Sequence, residues 1–470
     1  MKRLFALLLC FALVFSVSAC KPTDSSSSKI EYGEDVPEYE SDKSFYIGMW
    51  IGVPDSVKKY DSNGSVVPGS IKRLTDEQFD NHYKLIKEAG FNYAEGGYGE
   101  TSEAYNLRAL KAAEKYGIKQ YVQSNELNAI LLNNGLSDED AVNQLKSAAE
   151  KYTAFSSFAG LKIRDEPAKN EIKNYANAKA RFDKVFGKDK IFYMNLLPVI
   201  ADASAIGTDY KAYIKEYVDQ IGTDYVSYDH YPLIKNTKGN FILENFLFNM
   251  KLIKQVAPEK DMWTFLQSIQ YGSQNRALES AADATFQTYS FLAYGGKGIQ
   301  WFCYWSPPPF DGATRFGVGC IDRDGSVSAA YDYVKTANLE LRGLEDIYFN
   351  FEWQGVMPII GSKNDQGGEN KNFNYILDTA ITEHSRIKSF EAEQDTLTGV
   401  FKDGDGRDGF MIVNFTEPSA GIKDKVELEF NDCTRAIVVK NGVKTVTDCA
   451  GGKLSFDLPA GAGYFVIPLR

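Results

Sequence analysis

The feature that most constrains the fold is a strand–helix alternation that persists for about 300 residues. Eight short runs rich in apolar and aromatic residues are predicted strands: 45–53, 91–98, 118–124, 160–166, 191–197, 225–231, 262–268 and 298–305. Amphipathic helical segments lie between them, for example 75–89, 104–116, 138–152 and 282–294. Alternating strands and helices predict a parallel sheet, and eight such units close a barrel. The predicted fold class is therefore α/β, with a (β/α)8 TIM barrel over residues 45–348.

The pattern of polar and apolar residues changes after the last long helical segment. From residue 349 onward, short stretches of alternating polar and apolar residues replace the helical pattern, for example at 409–414, 425–430, 436–440 and 463–468. Such strands with intervening turns are typical of antiparallel sheets. We therefore predict a C-terminal antiparallel β-sandwich over residues 349–470.

The N-terminus has the pattern of a secretory signal peptide over residues 1–19. Lys2 and Arg3 precede an apolar run that ends in small residues before Cys20. The segment 17–20 resembles a bacterial lipobox, which implies cleavage before Cys20 and a diacylglycerol on its sulfur. A membrane-anchored, extracytoplasmic lipoprotein is the resulting expectation, with the polar residues 20–44 as a flexible tether. The alternative is ordinary secretory cleavage that leaves Cys20 free.

Charge and cysteine usage exclude several classes of partner. The net charge is −11, and removal of residues 1–19 with their two cations changes it to −13, which disfavours nucleic acid as a partner. Outside the cell, Cys433 and Cys449 can pair across a hairpin, and Cys303 with Cys320 is a weaker candidate. With three histidines in the chain, we expect no clustered metal site. No cofactor is expected either, because the glycine-rich segment 404–409 lies between predicted C-terminal strands and is acidic.

Barrel enzymes carry their catalytic groups at the C-terminal ends of the strands, so carboxylates there are the candidates. In strand 4, a period-two alternation directs Lys162, Arg164 and Glu166 into the barrel, with Glu166 at its mouth. Pro167 cannot continue the sheet hydrogen bonds and ends the strand. The alternative interpretation is that Glu166 forms a structural ion pair with Arg164 or Lys162, whose charges would lower its pKa.

Strand 6 offers a second carboxylate. The alternation directs Ser227, Asp229 and Tyr231 inward, so Asp229 is predicted to share the mouth with Glu166. Asp229 can instead be a structural partner of His230. The remaining candidate side chains at strand ends are Glu95 after strand 2, Gln267 on strand 7, and Tyr304 and Trp305 on strand 8.

This layout resembles the barrel glycosidases of clan A, which include β-galactosidase-like and cellulase-like families. Strand 4 of those enzymes ends in Asn-Glu-Pro or a variant, and Asp165-Glu166-Pro167 matches with Asp in place of Asn. The resemblance implies that Glu166 is the general acid/base and that the substrate is a carbohydrate. It also implies that His230 and Tyr231 brace the second carboxylate. The C-terminal β-sandwich is similar to a domain that these enzymes carry.

One departure from the clan concerns the nucleophile, which is a Glu at the end of strand 7 where this chain has Gln267. An amide cannot form a glycosyl-enzyme ester. Three explanations stay open. Another carboxylate (Asp229, Glu95 or Asp165) is the second acid, and it can lie at the distance of about 6.5–9.5 Å from Glu166 that inverting enzymes have. Otherwise the substrate supplies its own nucleophile, or the barrel binds sugar without cleaving it.

The resulting expectation is a cell-surface glycoside hydrolase in which Glu166 protonates the glycosidic oxygen and Asp229 acts as base or nucleophile. The other expected substrate-binding residues are Asp165, Glu95, His230, Tyr231 and Gln267, with Tyr304 and Trp305 as the sugar platform. The alternative is a non-catalytic, glycan-binding lipoprotein on the same barrel. Both tryptophans of strand 8, Trp301 and Trp305, can also be core residues.

Overall fold

The alternating region folds into two four-stranded parallel sheets in a computed structural model, which describes residues 36–363 and 369–470. The predicted signal peptide, Cys20 and most of the predicted tether lie outside the described residues. The eight strands are β1 (Tyr46–Trp50), β2 (Tyr93–Ala94), β3 (Lys119–Val122), β4 (Phe158–Asp165), β5 (Ile191–Asn195), β6 (Tyr225–Asp229), β7 (Asp261–Gln267) and β8 (Gly298–Phe302). Each predicted strand is thus present; six have narrower bounds, β4 starts two residues earlier than predicted, and β7 is shifted by one residue.

Helices follow the strands along the chain. The longer ones are α1 (Asp76–Glu88), α2 (Glu103–Lys115), α3 (Asn125–Leu132), α4 (Asp138–Thr153), α5 (Ala176–Phe186), α6 (Tyr210–Ile221), α7 (Phe246–Val256), α8 (Ala281–Ala293) and α9 (Ala329–Tyr348). Local chemistry sets their ends: Thr75 and Gln78 form a capping box at the start of α1. Gly222, with φ +66°, ends α6 in a left-handed conformation that glycine adopts without strain.

The two parallel sheets have the strand orders β1-β8-β7-β6 and β2-β3-β4-β5. Hydrogen bonds connect them at both edges. On one side Asn92 N donates to Ile47 O (3.1 Å), and on the other Leu196 N donates to Ser227 O (2.8 Å). An arrangement of parallel strands with helices between them is typical of an α/β barrel.

Aromatic side chains fill the space enclosed by the strands. Tyr46, Tyr225 and Trp263 form a stack in which the tryptophan ring lies 4.1 Å from one tyrosine ring and 3.9 Å from the other. The same cluster includes side chains from further strands, namely Tyr93, Tyr121, Ala159, Tyr193, Phe265 and Phe302. This packed layer supports the polar residues that lie at the carboxyl ends of the strands.

The C-terminal region forms two antiparallel sheets, as the alternating pattern predicts. Its strands are β9 (Phe351–Ile359), β10 (Ile387–Ala392), β11 (Thr396–Asp403), β12 (Asp408–Asn414), β13 (Asp424–Phe430), β14 (Arg435–Lys440), β15 (Val443–Asp448), β16 (Lys453–Leu458) and β17 (Gly463–Leu469). The strand orders are β9-β11-β12-β17-β14-β15 and β10-β13-β16. Apolar residues of both sheets, such as Ile412 and Val466 from one and Val426 and Leu428 from the other, share one core.

A buried ion cluster connects this region to the parallel sheets. The Arg276 guanidinium, in the loop after β7, donates to Asp283 Oδ1 on α8 (2.6 Å) and to Glu417 Oε1 in the C-terminal region (2.6 Å). All three side chains are nearly inaccessible to solvent. Within the described ranges, no helix is long and apolar enough to cross a membrane.

The four described cysteines are free thiols, and all four are buried. The thiols of Cys433 and Cys449 share a hydrogen bond at the end of the β14–β15 hairpin, where the sequence predicted that these two residues can meet. The segment 404–409 forms the turn between β11 and β12 and the first two residues of β12, in keeping with its predicted position between strands.

Candidate active site

A bulge in β4 determines which side chains reach the mouth of the parallel sheets. Lys162 pairs with Tyr193 of β5 and Arg164 with Met194, so Ile163 is an extra residue in β4. An extra residue reverses the side-chain alternation beyond it. The prediction that Arg164 points inward is therefore wrong: its guanidinium is exposed and lies 3.3 Å from Glu171 Oε2. Asp165 points inward instead, toward Asn195.

Glu166 follows this bulge in an unusual backbone conformation. Its φ is +47°, in the left-handed region that non-glycine residues seldom adopt. The Glu166 N–H donates to Asn195 O (2.9 Å), which fixes the residue against β5. Pro167 directly after it is buried. The side chain of Glu166 is exposed to solvent, so the predicted acid is accessible at the strand end.

Glu166 and Asp229 form a pair of interacting carboxyls. Their side chains share a hydrogen bond, which requires that one of the two carboxyls carries a proton. Partial desolvation and the negative charge of Asp165 raise the pKa of Glu166, whereas the hydrogen bond with Asp229 lowers it. Burial, followed by the charges of Glu166 and Asp165, raises the pKa of Asp229 well above its ordinary value of 3.8. The pair therefore retains one proton at a higher pH than an isolated carboxyl does.

Arg164 lowers the pKa of Glu166, as expected of a neighbouring cation, but desolvation and the charge of Asp165 outweigh it, so the pKa is raised on balance. The Glu166 carboxyl also forms its hydrogen bond with Asp229 rather than an ion pair with Arg164 or Lys162. A raised pKa is the property that a general acid needs near neutral pH.

Asn195, which the sequence reading missed, holds the carboxylates in place. It ends β5, the strand between those of Glu166 and Asp229. Its Nδ2 donates to Asp229 Oδ1 (3.1 Å) and lies 3.4 Å from Asp165 Oδ1. Its Oδ1 accepts from Ser227 Oγ (2.9 Å), which fixes the orientation of the amide. A polar residue at the end of a buried apolar run was the signal for it in the sequence.

Glu95 is engaged in a buried ion pair below the mouth. Lys162 Nζ lies 3.0 Å from Glu95 Oε2 and 3.0 Å from the centroid of the Trp50 ring. The other Glu95 oxygen accepts from Ile51 N (2.6 Å). Because this carboxylate is paired and 5% exposed, it is less suited to act as the second acid than the sequence suggested.

Gln267 has a structural role in the described conformation. Its amide donates to the carbonyl oxygens of Leu233 (3.2 Å) and Arg276, and its Oε1 accepts from Leu233 N (3.2 Å). The side chain is completely buried. It joins the loops after β6 and β7, and it therefore positions the residues at the mouth without being exposed there.

His230 and Tyr231 point in different directions, as neighbours on a strand do. The buried His230 ring packs edge-on against Phe246, and burial lowers its pKa to about 4. The resemblance implied that His230 braces Asp229, but the ring does not pack on that residue. Tyr231 lies close to the carboxyl cluster: burial first, and then the charges of Asp229, Asp165 and Glu166, raise the pKa of its hydroxyl.

The predicted sugar platform is wrong for Tyr304, which is fully buried and donates from its hydroxyl to His82 O on α1 (3.3 Å). Trp305 is 4% exposed and packs against His82. Trp301 is a core residue whose indole donates to Asn338 Oδ1 (2.8 Å). The alternation in β8 directs Phe302 inward instead, since Trp301 and Phe302 point to opposite faces.

Beside the carboxyls, Tyr231 packs with aromatic residues that the sequence did not single out. The Tyr231 ring is 5.3 Å from Phe302 and 6.0 Å from Tyr271, and Tyr271 is 5.6 Å from Phe316. Tyr271 is 37% exposed, and the charges of Glu166 and Asp229 contribute to its raised pKa, after desolvation. Tyr271 and Phe316 come from loops without periodic patterning, so the sequence offered no signal for them.

The spacing of the carboxyl pair differs from that of the two standard glycosidase mechanisms. Carboxyls lie about 5–5.5 Å apart in retaining enzymes and about 6.5–9.5 Å apart in inverting enzymes. Hydrogen-bonded carboxyls are closer than either. In this conformation Asp229 therefore adjusts the protonation of Glu166 and leaves no room between them for a sugar or a water. Across the described part of the chain, no group of three His, Cys, Asp or Glu side chains has the geometry to hold a metal ion.

Comparison with known proteins finds weak similarity to solved structures. No protein-family model and no curated protein matches the chain. Solved structures that resemble it include an Anoxybacillus α-amylase (12% identity, TM-score 0.48, 91% of this chain and 98% of that one) and a glucosidase from Croceicoccus marinus (9%, 0.40, 91% and 99%). A β-galactosidase from the psychrophilic Marinomonas ef1 has 10% identity and a TM-score of 0.43 over 64% of this chain. The chain spans 60% of the length of that enzyme. These neighbours are glycoside hydrolases, and at such identities the similarity does not extend to individual residues.

Proposed function

We propose that this protein is a glycoside hydrolase that cleaves O-glycosidic bonds with Glu166 as the proton donor. The observation that carries the proposal is the solvent-exposed Glu166 carboxyl, which shares a hydrogen bond with Asp229 and has a raised pKa. An accessible carboxylic acid with a raised pKa is the group that protonates a glycosidic oxygen.

The proposed reaction begins with transfer of the Glu166 proton to the glycosidic oxygen as the bond from that oxygen to the anomeric carbon breaks. Positive charge then develops on the sugar ring, and the carboxylates of Asp165 and Asp229 stabilise it electrostatically. A water molecule attacks the anomeric carbon, and its proton returns to Glu166. One water is consumed and one glycosidic bond is cleaved.

Asp229 is assigned a positioning and charge-tuning role in this scheme, in place of the base or nucleophile that the sequence suggested. Its hydrogen bond with Glu166 supports this assignment, because two carboxyls in contact cannot flank a sugar. Asn195 would keep Asp229 and Asp165 in register with Glu166. Gln267 would position the loops after β6 and β7.

The proposal also covers the closure of the barrel, the C-terminal β-sandwich and the cellular location of the protein. Hydrogen bonds at both edges of the parallel sheets support a closed (β/α)8 barrel, and the core shared by the antiparallel sheets supports a β-sandwich after it. The lipobox-like segment before Cys20 supports attachment of the enzyme to the outer side of the bacterial membrane. A carbohydrate outside the cell would be the substrate.

A second candidate function is glycan binding without cleavage. The observation that favours it is Gln267, which is a buried, fully engaged amide where a nucleophilic carboxylate would lie. A receptor would need the accessible aromatic side chains at the mouth, such as Tyr271, but would not need a proton donor.

One assay distinguishes the two candidate functions. A panel of oligo- and polysaccharides is incubated with wild type, Glu166→Gln and the control Glu171→Gln, which removes an acid on the outer surface beside Arg164. The hydrolase proposal predicts that wild type and Glu171→Gln release reducing ends and that Glu166→Gln does not. Release by no variant, together with equal sugar binding by all three, would support the receptor instead.

A further inference from the structure

The carboxyl cluster at the mouth carries negative charge that its neighbouring cations do not balance. Glu95, Asp165, Glu166 and Asp229 together hold four carboxyl groups, and the hydrogen bond between Glu166 and Asp229 accounts for one proton. Within the described ranges, the cations that influence these groups are Lys162 and Arg164.

Both cations are already occupied by other partners. Lys162 Nζ is held between Glu95 and the Trp50 ring and is 12% exposed, so a ligand at the mouth has little access to it. The bulge in β4 turns Arg164 away, onto Glu171 on the outer surface. Beyond the shared proton and the Lys162 charge, no cation balances the remaining carboxyls of the cluster.

The groups next to this charge are aromatic rings and hydroxyls. Tyr271 and the half-buried Tyr231, Phe302 and Phe316 form the adjacent wall. Ring faces pack against the apolar CH surface of a pyranose, and they attract ammonium groups through cation–π interaction. They offer no positive charge to a carboxylate, in contrast to an Arg or Lys at a site that binds anions.

From this balance we infer that the site selects its sugar by charge: it accepts neutral and 2-amino sugars beside Glu166 and excludes uronic acids. The inference rests on the proposed function, because it concerns the sugar bound at the same site. A carboxylate on the sugar would meet the uncompensated negative charge of this cluster. An ammonium group would be attracted by the same charges, which also favour the positively charged transition state.

The test uses three methyl glycosides that differ in charge: glucoside, 2-amino-2-deoxyglucoside and glucuronide, each also in the galacto configuration. Binding to the full chain is measured by calorimetry at low and high salt, with Glu166→Gln in parallel to exclude turnover during the titration. We expect the uronides to bind at least about tenfold more weakly than the neutral sugars and the amino sugars to bind at least as tightly. The differences should shrink at high salt, because ions screen the charges.

Two variants separate the effect of the cluster from that of the overall acidic surface. Asp165→Asn removes one of the uncompensated charges without changing the side-chain shape and should reduce the discrimination between neutral and uronic sugars severalfold. Asp311→Asn removes an exposed acid on a nearby loop and should leave it unchanged. Uronides that bind as tightly as neutral sugars would overturn the inference while leaving the proposed function intact. Failure of all six sugars to bind would contradict the proposed function, and this inference with it.

Discussion

Glu166 and Asp229 share a hydrogen bond although they belong to β4 and β6, with β5 between them. Two features bring the carboxyls together. The bulge at Ile163 and the left-handed backbone of Glu166 turn its side chain over the strand ends, and Asn195 on the intervening strand binds Asp229 from below. The consequence is a pair of acids that holds one proton tightly and presents it at the solvent-exposed end of the sheets.

Substitution of Asp229 by Asn should move the pH dependence of activity. The hydrogen bond from the protonated Asp229 carboxyl lowers the pKa of Glu166, and an amide donates a weaker hydrogen bond than an acid, so the pKa of Glu166 rises in the variant. The basic limb of the kcat/KM profile, where the proton donor is lost, should shift to higher pH. A profile measured on wild type and Asp229→Asn checks this. An unchanged basic limb would show that Asp229 does not tune the acid.

The same substitution should stabilise the folded protein at neutral pH. Because the pKa of Asp229 is raised in the folded state, its contribution to stability is complete at pH values below its unfolded pKa and is lost as the pH rises through the folded pKa. Asn carries no charge at any pH. The free energy of unfolding of Asp229→Asn should therefore exceed that of wild type at pH 7, with little difference at pH 3. Urea unfolding at both pH values measures it. A variant that is less stable than wild type at pH 7 would contradict this expectation.

Restoring a carboxylate on β7 should not create a nucleophile. In Gln267→Glu, the carboxylate cannot donate to the carbonyl oxygens of Leu233 and Arg276, and a charge is left buried without a partner. We expect a loss of about 3 kcal/mol in the free energy of unfolding and no gain in glycosidase activity. Gln144→Glu, an exposed position on α4, is the matched control and should change stability by less than about 0.5 kcal/mol. Equal stability of both variants would show that Gln267 does not hold the loops together.

Cys433 and Cys449 should form a disulfide on exposure to a disulfide oxidant such as oxidised glutathione. Their thiols are in contact, and the hydrogen bond from Cys449 lowers the pKa of Cys433 to about 7, which favours the thiolate that attacks the oxidant. Two thiols lose two electrons and two protons to the oxidant as the S–S bond forms. A disulfide that closes a loop of about 15 residues stabilises a protein by about 3 kcal/mol.

The expected signs of that disulfide are a mass decrease of about 2 Da and a higher Tm, which a reducing agent reverses. The double variant Cys433→Ser with Cys449→Ser should show neither change, although Cys303 and Cys320 are still present. Oxidised protein in which both C-terminal thiols still react with an alkylating reagent would contradict the prediction.

The architecture could be read from the sequence because its signals are local and repeated. Each of the eight parallel strands overlaps a predicted apolar run, and the C-terminal strands Asp408–Asn414, Asp424–Phe430 and Arg435–Lys440 coincide with predicted ones to within one residue. Hydrophobic periodicity sets such elements directly.

The inward and outward directions of side chains were less predictable. A period-two reading gives the correct side for Ser227 and Asp229, since β6 is regular, but fails for Arg164, since one extra residue in β4 reverses the pattern. Bulges depend on pairing with the neighbouring strand, which a single sequence does not reveal. Tyr304 was misplaced for a related reason: it follows the end of β8, where the strand periodicity no longer applies.

The most direct test of the central claim, that Glu166 donates the proton, compares leaving groups. The dinitrophenolate group of a dinitrophenyl glycoside departs without protonation. The leaving group of an alkyl glycoside or a natural glycan needs a proton in order to depart. For a glycan that wild type cleaves, Glu166→Gln should hydrolyse the unactivated bond about 10²–10⁴-fold more slowly than wild type, while its rate of bond cleavage on the matching dinitrophenyl glycoside falls far less. Equal losses on both substrates, or no loss on either, would contradict the role of Glu166 as the acid.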